Sequence, residues 1–187
     1  MKHIATVALM LHLGVAGVYA QQNSVKMHYS GSNVATPINL QDGAVTDEEL
    51  LAGNGTLGPF TYRELHADTP SSHPPDTCSA STQLYFPIVT GAGVFRFQHG
   101  GLLTVNITEG AICVDLTAGV GHLTTTYQIT GGTGRFKNAS GTLNLTGTLI
   151  AVLFDASGDP KLLTNTGEFD GAVSGVAIGE EEQGERQ

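Results

Sequence analysis

The chain has 187 residues, of which 25 are Gly, 13% are charged and none is Trp. Against a usual charged share of about 25%, this composition excludes a helical bundle, a coiled coil and a disordered acidic protein. The formal net charge of −9 leaves no basic footprint, which excludes a nucleic-acid partner.

Met1-Lys2-His3 is a short positive start, Ile4 to Val18 is almost wholly apolar, and Val18-Tyr19-Ala20 precedes Gln21 like a cleavage site. This three-part pattern predicts a secretory signal peptide over residues 1–20. Its apolar run of about 15 residues is short of the roughly 20 that span a bilayer. No other stretch could span one as a helix, so the mature chain is expected outside the cytoplasm, extracellular or periplasmic. Cys78 and Cys113 would then meet an oxidising compartment, and two cysteines allow one pairing. A disulfide is therefore expected, in preference to a catalytic thiol or a metal pair.

Residues 21–178 read as one domain of strands. Val25, Met27 and Tyr29 alternate with polar neighbours, as in a half-buried strand. Residues 31–45 read as irregular. Thr46-Asp47-Glu48-Glu49 has the form of a capping box, and Leu50, Leu51 and a stop at Gly53 predict a helix of one or two turns. Leu57 to His66 reads as a strand with Phe60, Tyr62, Glu64 and His66 on one face. Pro70, Pro74 and Pro75 make residues 67–77 a loop. Two strand-like runs follow, at Gln83–Val89 and Gly93–Gln98.

Within Leu102 to Leu116 the apolar positions are odd at Leu103, Val105 and Ile107, and even at Ile112, Val114 and Leu116. The flip predicts a two-residue hairpin at Glu109-Gly110, with Cys113 opposite Asn106 on the other face. Leu123, Thr125, Tyr127 and Ile129 continue the alternation, and Thr142 to Phe154 is a long strand whose last part is apolar on both faces. A turn over Asp155–Pro160 leads to a last strand marked by Leu163, Phe169 and Val173. Residues 179–187, with Glu180, Glu181, Glu182 and Glu185, read as a disordered acidic tail.

Eight or nine strands joined by short turns form an antiparallel sandwich or a closed barrel. Glycines scattered within the strands favour the barrel, where they relieve curvature. Four glycosylation sequons begin at Asn54, Asn106, Asn138 and Asn144.

The stretch Tyr127-Gln-Ile-Thr-Gly131-Gly132-Thr133-Gly134-Arg135-Phe136-Lys-Asn-Ala139-Ser140-Gly141-Thr-Leu resembles a signature of the allene oxide cyclase and dirigent barrels. Leu57-Gly58-Pro59-Phe60-Thr61 resembles the strand opening of small secreted proteins of this barrel type. The strong match spans about 17 residues, and a weaker likeness of strand order covers most of 25–177. The resemblance implies an eight-stranded barrel, often a homo-oligomer, with an apolar cavity and no metal or organic cofactor. Related plant proteins guide the cyclisation of a fatty-acid epoxide or the coupling of phenolic radicals. This chain departs from them in its two cysteines, short length and lack of a second family motif, so neither activity is inherited. The glycine-rich run precedes a strand, whereas phosphate loops open helices. It is expected to build a corner, with Phe136 plugging the barrel end and Arg135 reaching carbonyls or an acid at the rim.

Phe60, Tyr62 and Tyr127 are the ligand-binding candidates. Glu64, His66 and Tyr127 are the catalytic candidates, since a carboxyl, an imidazole and a hydroxyl in an apolar cavity could move protons. The competing expectation places Glu64 and His66 in water at a strand end. His66, Asp68 and His73 lack standard metal-ligand spacing, so no metal site is expected. A Gly-x-Ser-x-Gly elbow is missing, and Glu168 and Asp170 read as an outer pair. The functional expectation is a non-catalytic carrier of a small apolar molecule. The alternatives are a cofactor-free cyclase or isomerase, and a structural, self-associating envelope protein.

Overall fold

A computed structural model describes residues 22–71, 78, 83–115 and 117–177. Eight strands follow one another: β1 Asn23–Thr36, β2 Val45–Gly55, β3 Phe60–Asp68, β4 Leu84–Phe97, β5 Leu102–Asp115, β6 Val120–Gly132, β7 Ser140–Phe154 and β8 Pro160–Ser174. Each pairs antiparallel with the next, and β8 returns to β1, closing a barrel in strict chain order. Closure leaves no unpaired sheet edge. The barrel thus answers the choice between sandwich and barrel. A single turn of 3-10 helix, Gly134–Phe136, lies between β6 and β7.

Alternation along each strand sets the interior. Val25, Met27 and Tyr29 of β1 are buried between exposed neighbours, and so are Phe60 and Tyr62 of β3, Leu123, Tyr127 and Ile129 of β6, and Leu143 and Leu145 of β7. One end of the barrel is closed by rings. Phe136 is fully buried, its ring 4.6 Å from that of Phe97, with the Arg135 guanidinium 4.6 Å above it. Arg135 donates to the carbonyl of Leu57 at the same rim.

Several sequence expectations are corrected. The capping-box segment is not a helix: Val45–Gly55 is strand β2, paired with β1 and β3 along its length. Two full ladders outweigh a local cap over so short a run. Residues 31–36 are not irregular but continue β1. The two runs at 83–98 form the single strand β4.

No hairpin forms at Glu109-Gly110. β5 runs through it, and the parity flips because Thr108 is an extra residue in the ladder with β6: Ile107 pairs with Tyr127, but Glu109 pairs with Thr126. A β-bulge shifts the side-chain alternation as a hairpin would. Cys113 accordingly lies beside Tyr85 and His122, not Asn106.

Cys78 and Cys113 are joined in a disulfide, which ties the β3–β4 connection to the outer wall. Asn54, Asn106, Asn138 and Asn144 are exposed. In the last part of β7, Ile150, Val152, Leu153 and Phe154 all face outward and stand about half exposed. Residues 1–20, His73, Leu116 and 179–187 lie outside the described residues, and with them the expected signal peptide and tail. Among the described residues no helix is long and apolar enough to cross a membrane.

Candidate functional site

The polar interior is built by two adjacent strands. In the ladder between β2 and β3, Asp47 pairs with His66 and Glu49 with Glu64. Directly paired residues point to the same face, and Leu51 and Tyr62, the next inward pair, are both buried. Asp68 follows His66 by two and shares its face. Four carboxyl groups and one imidazole therefore line one wall toward the end opposite Phe136. Glu49, Glu64, His66 and Asp68 are each at most 5% exposed. Glu64 and His66 are thus buried, not hydrated at a strand end.

Hydrogen bonds divide this wall into two groups. The Tyr62 hydroxyl donates to Glu64 Oε2. His66 Nδ1 donates to Glu64 Oε1 at 2.9 Å, since a carboxylate can only accept. In the second group Glu49 Oε1 accepts from Asn165 Nδ2 at 2.7 Å and from Asn33 Nδ2 at 3.5 Å. Tyr29 donates to Asn165 Oδ1 at 3.1 Å. The Tyr62 hydroxyl reaches over β4 because residue 93 is Gly: a Cβ there would lie 2.2 Å from the Tyr62 oxygen.

Crowding of like charge away from water governs protonation. Burial, reinforced by the Glu64 charge, pushes the Glu49 carboxyl up to about 7. Burial and the Asp47 charge push Asp68 up to about 7. For His66 burial opposes the charge, but the hydrogen bond to Glu64 and the charges of Glu64, Glu49 and Asp47 outweigh it and raise the group to about 9. The Tyr62 and Tyr127 phenols are raised by burial and by the nearby Glu64 charge.

Among the described residues, several buried atoms of this interior have no hydrogen-bond partner: Tyr127 Oη, Thr125 Oγ1, Glu49 Oε2 and His66 Nε2. Tyr127 and Thr125 share the inward face of β6. The Tyr127 ring stands edge-on to that of Tyr62, centroids 6.2 Å apart. An unpartnered buried hydroxyl or carboxylate oxygen costs about 1–3 kcal/mol, more when charged. Such groups can receive a polar group of a bound molecule, and the Nε2 position can pass a proton or hold a cation.

The remaining candidates lie elsewhere. Phe60 is buried in the closed half, among the rings of Phe95, Phe97 and Phe169. Gly131 and Gly132 end β6, Gly134, Arg135 and Phe136 form the turn that follows, and Gly141 stands at the start of β7. Glu168 is on the outside, 3.3 Å from Lys26 and 3.7 Å from His28, and Asp170 accepts from Asn144 at 3.0 Å. His99 and His122 are exposed. Sequence reasoning missed Asp47, Glu49, Asn33, Asn165 and Thr125. The first two lay in the expected helix, and the amides carry no motif. A groove over β3, β4 and β5 is lined by Leu40, Arg63 and Val94 and also by Glu64, Gly93 and Val105.

In solved structures, the protein is similar to a pterocarpan synthase dirigent protein, with 11% identity, a TM-score of 0.38, and coverage of 89% of this chain and 99% of that one. It is also similar to a nonspecific heme-binding cyclase that catalyses a cycloaddition in neoabyssomicin biosynthesis. There the identity is 16%, the TM-score 0.36, and the coverage 90% of this chain and 76% of that one. No protein-family model matches the chain, and no curated protein matches it.

Proposed function

We propose that the protein is an exported, non-catalytic binder of a small, mostly apolar molecule held inside the barrel. The carrying observation is the set of buried, unpartnered oxygens Tyr127 Oη, Thr125 Oγ1 and Glu49 Oε2. Beside Tyr127 stand the rings of Tyr62 and Phe169, and Phe95 packs on Tyr62. Apolar walls with a few placed polar groups are the usual composition of a small-molecule site. A ligand with one hydroxyl or amine would satisfy these oxygens while its apolar body covers the rings. Export is supported by the apolar leader pattern of residues 1–20 and by the disulfide between Cys78 and Cys113.

The chain of hydrogen bonds from Tyr62 through Glu64 to His66 favours a second reading, a cofactor-free cyclase or isomerase. His66 Nε2 would be its proton-transfer atom. Native mass spectrometry of protein extracted from its source tests the first reading. A co-purified molecule recovered unchanged after incubation supports binding. A molecule converted during incubation supports the second reading, and a bare chain contradicts the first.

A further inference from the structure

We propose that Asp47, His66 and Asp68 form a binding site for a divalent transition-metal ion at the mouth of the barrel. The inference goes beyond the small-molecule reading and does not depend on it. Each of the three residues offers a ligand atom, and these atoms all lie within 4.8 Å of one another. Pairing of Asp47 with His66 across the ladder, and the two-residue step from His66 to Asp68, bring them together on one face.

A group of carboxylates alone would be no site. Here a second, independent feature points to a cation. His66 is fully buried, its Nδ1 is taken by Glu64 Oε1 at 2.9 Å, and its Nε2 has no partner. This is the arrangement in which an outer carboxylate fixes the imidazole tautomer and turns the other nitrogen into a metal ligand. The charge balance agrees. Asp47, Glu49, Glu64 and Asp68 crowd one wall, and among the described residues neither Lys nor Arg is paired with any of them. An ion on Nε2 would take the place of the proton there and offset the carboxylate charge.

The donor set selects the ion. One imidazole nitrogen and two carboxylates suit Zn²⁺ or Mn²⁺ and disfavour Ca²⁺ and Mg²⁺, which take oxygen ligands. Around Zn²⁺, bonds of about 2.1 Å place tetrahedral ligands about 3.4 Å apart. Reaching that spacing requires the two short Asp side chains to rotate inward from a separation of up to 4.8 Å. Asp47 is only half-buried, which gives the ion its way in. Three protein donors leave a further position for water or for an oxygen of a bound molecule. An ion on Nε2 also removes that atom from proton transfer, so occupancy excludes the acid–base role at His66.

Calorimetric titration of the chelator-treated full protein with Zn²⁺ tests the proposal. Wild type should take up one Zn²⁺ per chain. The Asp47→Asn/Asp68→Asn double variant should bind at least tenfold more weakly, and Glu64→Gln about 10–100-fold more weakly. No uptake by wild type overturns the proposal. So does undiminished uptake by the double variant, which would place the zinc on outer-wall histidines such as His28 and His122. A measurement on wild type covers the case in which the variants fail to fold. Substoichiometric Mn²⁺ should broaden the ring-proton resonances of His66 before those of His28, His99 and His122, and the reverse order overturns the site.

Discussion

Glu64 Oε1 and His66 Nδ1 meet at 2.9 Å in the barrel interior, both side chains sealed from solvent. A buried charge-assisted bond of this kind is costly to break and far less costly to replace. Glu64→Leu or His66→Leu alone strands a charged or polar partner and should destabilise the protein by about 3–5 kcal/mol. The double variant should cost clearly less than the sum, because neither charge of the pair is stranded and only the Tyr62 hydroxyl loses its acceptor. A double-mutant cycle in urea denaturation measures the difference. Simple additivity would show that the two groups do not depend on one another.

Gly131 and Gly141 have nearly the same backbone, with φ of +134° and +138°, but different surroundings. A Cβ on Gly141 would lie 2.1 Å from the carbonyl oxygen of Ala172, whereas one on Gly131 would meet nothing within 4 Å. Both substitutions to Ala carry the strain of a positive φ, about 1–3 kcal/mol. Gly141→Ala must in addition push β7 away from β8, where a backbone carbonyl cannot turn aside. Thermal unfolding should show a mild loss for Gly131→Ala and a severe one for Gly141→Ala. Equal losses would contradict the pairing of β7 with β8 at this register.

The disulfide between Cys78 and Cys113 closes a segment with a sequence separation of 35 residues. On the chain-entropy account it stabilises the fold by roughly 3–4 kcal/mol. Cys78→Ser/Cys113→Ser should lower the urea midpoint by the corresponding amount, with the barrel still formed. Thiol labelling of the denatured, unreduced wild type should find no reactive cysteine. Labelling of both residues would contradict the bridge.

Much of the barrel was legible in the sequence because side-chain alternation is a local signal. The inward face of β3, with Phe60, Tyr62, Glu64 and His66, follows from period two alone. β2 was hidden for a physical reason. Asp47 and Glu49 point inward while Thr46 and Leu50 lie on the other face, so polar and apolar residues occupy both sides and no alternation appears. The same residues make a passable helix cap, and only pairing with β1 and β3 decides between the two. The bulge at Thr108 was hidden likewise, since a change of parity marks a bulge and a hairpin equally. The candidate site was therefore half visible. Glu64 and His66 could be read from their own strand, but the partners Asp47, Glu49 and Asn165 come from strands whose register is a tertiary fact.

The central claim is that buried oxygens on β2 and β6 receive a ligand inside the barrel. Titration with N-phenylnaphthylamine, an apolar fluorophore with a single N–H, tests it most directly. Wild type should bind it saturably, about one per chain, with a rise in fluorescence. Removing the two hydroxyls in Tyr127→Phe/Thr125→Val should weaken binding several-fold, without change in the far-ultraviolet spectrum. Failure of wild type to saturate, or unchanged affinity in the variant, would contradict the claim.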